Sequence, residues 1–342
     1  MTLAVRTPNW IGDCVMIQPA LRLLETVYSR DELILVTRPH LTDLFTPPLV
    51  PPHAAHPVVS LPGGGKWREV VSGAGKLRKR GSNRGLLFTN SIASALMFRL
   101  AGINRLTGYR RDGRGPLLCQ SLEWPSPARH QVDAYMDLAA AASGMEPVDN
   151  ALPRMDVPGD FLNRVSRLLV EHGARKGVPW IGISPCAAFG TAKEWPRERY
   201  RELVQRLSRR YNEMSILLFG GPGDHHRLEF LVPDAAERVV NLARVTTLAE
   251  SVAAASLCRV FVSNDSGMMH AAAATGTPVV ALFGPTDPKR VIPRTPLIKI
   301  LYRETPCAPC SRRTCDHHDC MRGISVEQVH TAVRDFLAAG RD

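Results

Sequence analysis

Apolar positions along the chain follow two alternating rhythms. Short unbroken apolar runs mark strands buried on both faces, and longer stretches with apolar residues every three or four positions mark helices with one buried stripe. "LAVRTP" reads as a strand, "DCVMIQPALRLLETVY" as a helix and "ELILVTRP" as a second strand. "RGLLFTN" and "SIASALMFRLAGI" repeat the pair, with the helix ending near Gly102. Between 146 and 158, "EPVDNALPRMDVP" has three prolines and no period, which predicts a linker. The alternation then resumes with the helix "GDFLNRVSRLLVEHG", stopped by Gly173, and the strand "PWIGISP". "PRERYRELVQRLSRRYN", "TTLAESVAAASLC", "SGMMHAAAATG" and "SVEQVHTAVRDFLAA" read as helices, and "MSILLFGG", "RVFVSND" and "PVVALFG" as strands. The pattern predicts an α/β protein with two Rossmann-like parallel-sheet domains, 1–152 and 153–342. Ligands of such sheets bind beyond the carboxyl ends of the strands, so the strand-to-helix turns are where chemistry is expected.

Four turns carry it. In "VFVSNDSGMMHAAAATGTPVVALFGPTDP" the chain leaves a strand at Asn264 and enters a helix near Ser266–Gly267. A helix N-terminus offers free N–H groups and positive partial charge, and a glycine lets an anion come close. Ser266 fits an N-cap and His270 lies one turn in; a capped helix with a buried histidine explains the same residues. In "SPCAAFGTAKEWPRERY", Thr191 and Lys193 precede the helix begun by Pro196, a second anion pocket made of hydroxyl, ammonium and amides. Two such pockets on neighbouring strands suit a diphosphate, although no Walker loop is present. In "LLFGGPGDHH", Asp224 suits the hydroxyls of a ribose or an ordinary turn. In "TPNWIGDCVM", Asp13 at the first strand-to-helix junction suits a general base for an alcohol or a helix N-cap; spacing does not choose.

Composition is that of an ordinary soluble globular protein, 44% hydrophobic and 22% charged over 342 residues. The start lacks a basic segment leading into an apolar one, and the longest weakly charged run, 266–285, contains His270, Gly276 and Pro278. A cytoplasmic protein is therefore expected. The net charge of +11 is concentrated: between Lys66 and Arg114 twelve Lys/Arg face two acids, Glu69 and Asp112. Such a region meets nucleic acid, an acidic membrane or a phosphorylated ligand, or is a solvated basic face. The nucleic-acid reading finds no support in Trp67, Phe88, Phe98 and Tyr109, which form no stacking series. Four of eight cysteines cluster in "CAPCSRRTCDHHDC", at Cys307, Cys310, Cys315 and Cys320. They can give thiolates to zinc, but lack the paired spacing of a zinc ribbon. The flanking Arg312, Arg313, His317 and His318 suggest instead a reduced, basic loop near an acceptor, with no metal.

These segments resemble family 9 glycosyltransferases, the heptosyltransferases of lipopolysaccharide core assembly. The resemblance rests on "NWIGDCVMIQPALRLL", "NSIASALMFRLAGINRLTGYRRDGRGPLL", "FGTAKEWP", "SNDSGMMHAAAATGTPVVALFGPTDP" and the cysteine cluster. "NSIASA" and "AGINRLTGYR" look most like the type II group. The resemblance implies a GT-B architecture, two Rossmann-like domains facing a central cleft, with the acceptor on the first and the donor on the second. It implies inverting transfer of heptose from ADP-heptose to a lipid A–Kdo–heptose acceptor, without metal or cofactor. The enzyme would sit peripherally at the inner face of the inner membrane and bind no nucleic acid. By position, Asp13 matches the family's base, Thr191 and Lys193 the diphosphate site, and Asp224 the ribose acid. Asp265, Ser266, Gly267, Met268 and His270 match the donor-phosphate turn. Asn9, Trp10, Gly12, Asn90, Ser91, Arg110 and Arg111 fall on the acceptor side. Cys186 departs from the family, which often has glycine there. Rivals are a family 9 enzyme with another donor or acceptor and a double-Rossmann sugar-nucleotide epimerase, which has no need of "NSIASA" and the basic arm.

Overall fold

The computed structural model describes residues 2–233 and 238–339. The chain divides into two compact units, Met1–Asp156 and Val157–Asp342, against the 152/153 boundary expected from the prolines. The first unit holds β1 (Leu3–Arg6), β2 (Leu33–Thr37), β3 (Val58–Ser60), β4 (Arg84–Leu87), β5 (Arg105–Tyr109) and β6 (Gln120–Leu122), paired in parallel in the order β3-β2-β1-β4-β5-β6. The second holds β7 (Trp180–Ser184), β8 (Ser215–Leu218), β9 (Val239–Asn241), β10 (Cys258–Asn264), β11 (Val279–Phe283) and β12 (Ile298–Tyr302), also parallel, in the order β12-β11-β10-β7-β8-β9. Counted within its own unit, the second order is that of the first. In each sheet the winding direction reverses once, between β1 and β4 and between β7 and β10. Connections leave such a pair of strands in opposite directions and open a crevice at their carboxyl ends.

Sequence explains the layering. Every residue of β1, β2, β7, β8 and β11 is buried, as strands covered by helices on both faces require. The first core gathers Ala4, Ile34, Leu87, Phe98 and Leu106; the second, Ile181, Trp195, Tyr200, Leu203 and Val262. Edge strands β3, β6 and β9 have three residues each, and β6 is largely exposed.

The expected helix over "DCVMIQPALRLLETVY" is in fact two, Ile11–Met16 and Gln18–Glu25. Pro19 has no N–H for the carbonyl four residues back, and its ring crowds that carbonyl, so the helix breaks at Ile17. The N-cap position of the first helix belongs to Trp10, and Asp13 lies within the helix. The N-cap reading of Asp13 is thereby corrected.

Candidate functional site

At the β7/β10 crevice the ends of the two strands are stapled by Asn264, fully buried at the end of β10. Its Oδ1 accepts the Trp195 amide at 3.1 Å and the Tyr200 hydroxyl at 2.8 Å, and its Nδ2 donates to the Pro185 carbonyl at 2.6 Å. One side chain thus ties the start of the helix Gly267–Ala274 to the loop that follows β7. Ser266 caps that helix, its Oγ accepting the Met269 amide at 3.4 Å and lying 2.9 Å from Ser263 Oγ. The Gly267 and Met268 amides of the first turn have no intrahelical acceptor, and both residues are half-buried rather than sealed. Asp265 and His270 are buried.

Across the crevice lies the short turn Thr191–Lys193. Lys193 Nζ meets Asp265 Oδ2 at 2.5 Å, and Thr286 donates to the same oxygen at 2.7 Å. The Lys193 and Asp265 side chains are only 13% and 7% exposed. The structure therefore brings Thr191, Lys193, Asp265, Ser266 and Gly267 together, with the lysine's charge already matched by an internal acid. Asp224 follows β8: its carboxylate accepts the Gly221 amide at 3.0 Å and Arg227 at 3.1 Å, and Arg227 also pairs with Glu194. The acid expected to meet a ribose is held in its turn by the Gly221 amide and Arg227. Cys186 lies beside this network; burial, and then the nearby Asp224 carboxylate, push its thiol up to about 12, so it stays neutral. A cavity of about 430 Å³ adjoins, walled among others by Cys186, Thr191, Glu194, Tyr200, Arg227 and Phe230. That volume suits a small-molecule moiety.

The cysteine loop packs onto this turn. The Arg313 carbonyl accepts the Ala192 amide at 3.0 Å, and His318 Nε2 donates to the Ala192 carbonyl at 2.8 Å. Gly190 has φ +151°, and a Cβ there would stand 2.3 Å from the Arg313 oxygen, so only glycine admits the contact. Lys193 and Arg313 lie on the Phe189 ring, at 4.8 Å and 5.1 Å from its centre. The loop is a brace for the Thr191–Lys193 turn. Cys307, Cys310, Cys315 and Cys320 line one small cavity, but among the described residues no three His, Cys, Asp or Glu side chains are arranged to hold a metal ion.

The β1/β4 crevice is furnished differently. Asp13 Oδ1 accepts a hydrogen bond from Tyr135 at 2.7 Å. Burial, and then the Asp13 charge, hold the Tyr135 phenol well above its ordinary value, so it remains a donor. Tyr135 sits on the helix Gln131–Ser143, edge-on to Phe88 with ring centres 5.4 Å apart. Arg6, buried at the end of β1, donates to the Val36 carbonyl at 3.2 Å, to Asn9 Oδ1 at 2.8 Å and to Glu69 at 3.1 Å. Arg114, also fully buried, donates to the carbonyls of Tyr109 and Thr89 and, at 3.4 Å, to Asn90 Oδ1. Burial brings both guanidinium groups down to about 10, and both stay charged at neutral pH. Arg114 therefore leaves the basic surface to which charge counting assigned it. Each expected acceptor asparagine is oriented by a buried arginine.

Ser91 caps the helix Ile92–Leu100, accepting the Ser94 amide at 3.3 Å. Gly12 is buried and Trp10 is 46% exposed. Arg110 and Arg111 are exposed beyond β5; Arg110 pairs with Glu123 at 3.4 Å, and Arg111 lies 4.1 Å from the centre of the Trp124 ring. Tyr135, Arg6 and Arg114 were not legible as site-builders, because Asp13, Glu69 and Thr89, which they meet, lie far along the chain. Asn264 stood in the quoted turn, and its strand-end position was the available clue.

Two Rossmann sheets with polar, charge-bearing crevices are the frame of an enzyme working on a nucleotide-linked substrate. Residues 71–320 match glycosyltransferase family 9 (heptosyltransferase), and the chain belongs to that family. It is 28% identical to lipopolysaccharide heptosyltransferase 2 of Escherichia coli (strain K12), over 98% of this chain and 95% of that one. It is 29% identical to lipooligosaccharide heptosyltransferase 2 of Haemophilus ducreyi, over 86% of each. The solved structure of E. coli ADP-heptose lipopolysaccharide heptosyltransferase II matches with a TM-score of 0.83 and 26% identity, over 100% of both chains. The chain is a glycosyltransferase, with the α/β fold of the GT-B class.

Proposed function

We propose that the protein transfers heptose from ADP-heptose to the heptose-bearing inner core of lipopolysaccharide, as an inverting transferase of the type II group. The observation that carries this reading is the likeness, over the whole of both chains, to an ADP-heptose lipopolysaccharide heptosyltransferase II. The crevices support it from below.

The donor belongs to the second unit. The amides at the Ser266-capped helix start and the Thr191–Lys193 turn suit a diphosphate, and the adjoining cavity suits the nucleoside. Lys193 exchanges Asp265 for the diphosphate as the donor enters. When the bond from the anomeric carbon to the diphosphate oxygen breaks, ADP keeps the electron pair, and the growing charge is met by the lysine and the amides. The acceptor belongs to the first unit, where Asn9, Asn90, Arg110 and Arg111 offer polar and cationic groups. The acceptor hydroxyl attacks the anomeric carbon from the face opposite ADP, and Asp13 takes its proton. Tyr135 keeps that carboxylate in place.

The acceptor is anchored in a membrane, and no helix among the described residues is long and apolar enough to cross one. On this reading the enzyme is a peripheral protein at the inner face of the inner membrane, meeting an acceptor presented there. Incubation with ADP-heptose and heptosyl-Kdo2-lipid A, followed by mass measurement, tests the proposal. The expected product is the acceptor plus one heptose, with one ADP released. An unmodified acceptor, with transfer from a different nucleotide sugar or to a different acceptor, would refute it.

A further inference from the structure

The helix Lys66–Arg78 presents two unlike faces. Val70, Gly73, Ala74 and Leu77 are buried against the first unit. The contact is close: a Cβ on Gly73 would stand 2.4 Å from Met97 Sδ and 2.8 Å from Leu61 Cδ2. The outer face holds Trp67, Val71, Gly75 and Arg78, spaced four, four and three residues apart and therefore stacked along one stripe. Trp67 is 74% exposed and Val71 65%, the most exposed large apolar side chains among the described residues. Arg78 donates to the Leu100 carbonyl at 2.6 Å, which brings half-exposed Leu100 alongside.

Single exposed apolar residues need no explanation, but a tryptophan and a valine on successive turns, on a helix with free cations at both ends, do. Lys66, Arg68, Lys79 and Arg80 are all exposed, and no ion pair or hydrogen bond engages their side chains among the described residues. By contrast, Lys76 is used at 2.7 Å on the Ser60 carbonyl, and Arg84, Arg99 and Arg114 on other carbonyls. The basic segment thus divides into arginines and lysines that build the unit and a set left facing solvent at the two ends of the helix, Lys66 and Arg68 beside Trp67 and Lys79 and Arg80 after Arg78.

We propose that the outer face of the helix Lys66–Arg78 is a docking surface for an anionic lipid bilayer, with Trp67 and Val71 entering the interfacial layer and Lys66, Arg68, Lys79 and Arg80 meeting lipid phosphates. Charge complementarity selects this occupant: an exposed indole and a small apolar residue on a helix with free cations at both ends fit an anionic interface, where tryptophan settles and each cation adds attraction. The proposal rests on the membrane-borne acceptor of the function proposed above, yet its test does not depend on catalysis.

The test is cosedimentation of the full chain with vesicles of phosphatidylglycerol and phosphatidylcholine mixed, and of phosphatidylcholine alone. Binding is expected only to the anionic vesicles, weakening as salt rises. Arg68→Gln/Lys79→Gln/Arg80→Gln should lower the partition coefficient by roughly five-fold per charge removed, about a hundred-fold in all. Trp67→Ala/Val71→Ala should lower it about ten-fold, and Trp67→Phe should abolish a blue shift of tryptophan emission on binding. All of these side chains are exposed, so the variants should keep the parent's melting temperature and its turnover on a lipid-free heptosyl-Kdo oligosaccharide. Undiminished vesicle binding in the charge and apolar variants would overturn the proposal. So would loss of turnover on the lipid-free acceptor, which would make the helix a saccharide site, or tighter binding to duplex DNA than to anionic vesicles at physiological salt. If vesicle binding behaves as expected while no heptose is transferred, the surface stands and the functional reading falls.

Discussion

The two units share one strand order but furnish its reversal point with opposite chemistry. In the second unit the crevice between β7 and β10 pairs Lys193 with Asp265 beside a helix start, and at the neighbouring end of β8 Arg227 pairs with Glu194 and Asp224. In the first, between β1 and β4, buried Arg6 and Arg114 orient asparagines, and the Asp13 carboxylate is held by a neutral phenol. Topology therefore fixes where a ligand goes, and the side chains fix what kind of event happens there. One crevice offers amides and an ammonium group that suit a diphosphate; the other offers a carboxylate that suits an alcohol.

The strongest way to break this contrast is at Asp13. Asp13→Asn should lower kcat by about 10²–10⁴-fold, the usual worth of a general base, while ADP affinity measured by calorimetry stays within two-fold. A matching loss of ADP affinity would move Asp13 to the donor side. Next is Lys193. Lys193→Ala strands Asp265, 7% exposed, and should cost about 3–5 kcal/mol of stability as well as donor binding. The double variant Lys193→Ala/Asp265→Asn should recover much of the melting temperature but not the ADP affinity; recovery of both would leave the lysine a purely structural role. Asn264→Ala should cost about 3 kcal/mol in denaturant unfolding, because the buried Trp195 amide and Tyr200 hydroxyl lose their acceptor.

Smaller effects sharpen the picture of the first unit. Tyr135→Phe keeps the ring and removes one hydrogen bond, worth about 1 kcal/mol. Turnover should fall several-fold while ADP affinity stays unchanged. An unchanged kcat would reduce Tyr135 to packing. Least of all, His56 is drawn to Glu25 at 2.7 Å; although burial opposes it, the hydrogen bond to Glu25 leaves the imidazole raised above 6.5. A raised folded value stabilises the protein fully below the unfolded pKa and ceases to as pH rises through the folded one. His56→Gln should therefore lower the melting temperature at pH 5.5 and leave it nearly unchanged at pH 9.

The central strands were legible because burial on both faces writes an unbroken apolar run, as in "LILVT" and "VVALF". The turns beyond them were legible because serine, glycine and aspartate at a strand end serve few other purposes. The three-residue edge strands were not: they pair on one side only and carry polar residues, as "QSL" does in β6. Nor was the helix "KWREVVSGAGKLR", whose glycines and charges blur its period. Tyr135 meets Asp13 across 122 positions of chain, and Arg114 reads as surface charge until the fold buries it. Such pairings exist only once the sheet has formed.

Hydrogen exchange of the full chain with and without ADP tests the division of labour most directly. Added protection is expected for amides in Thr191–Lys193 and in 267–270, exceeding any change at 9–13 and 89–91. Protection confined to the loops after β1 and β4, with the second unit unchanged, would contradict it.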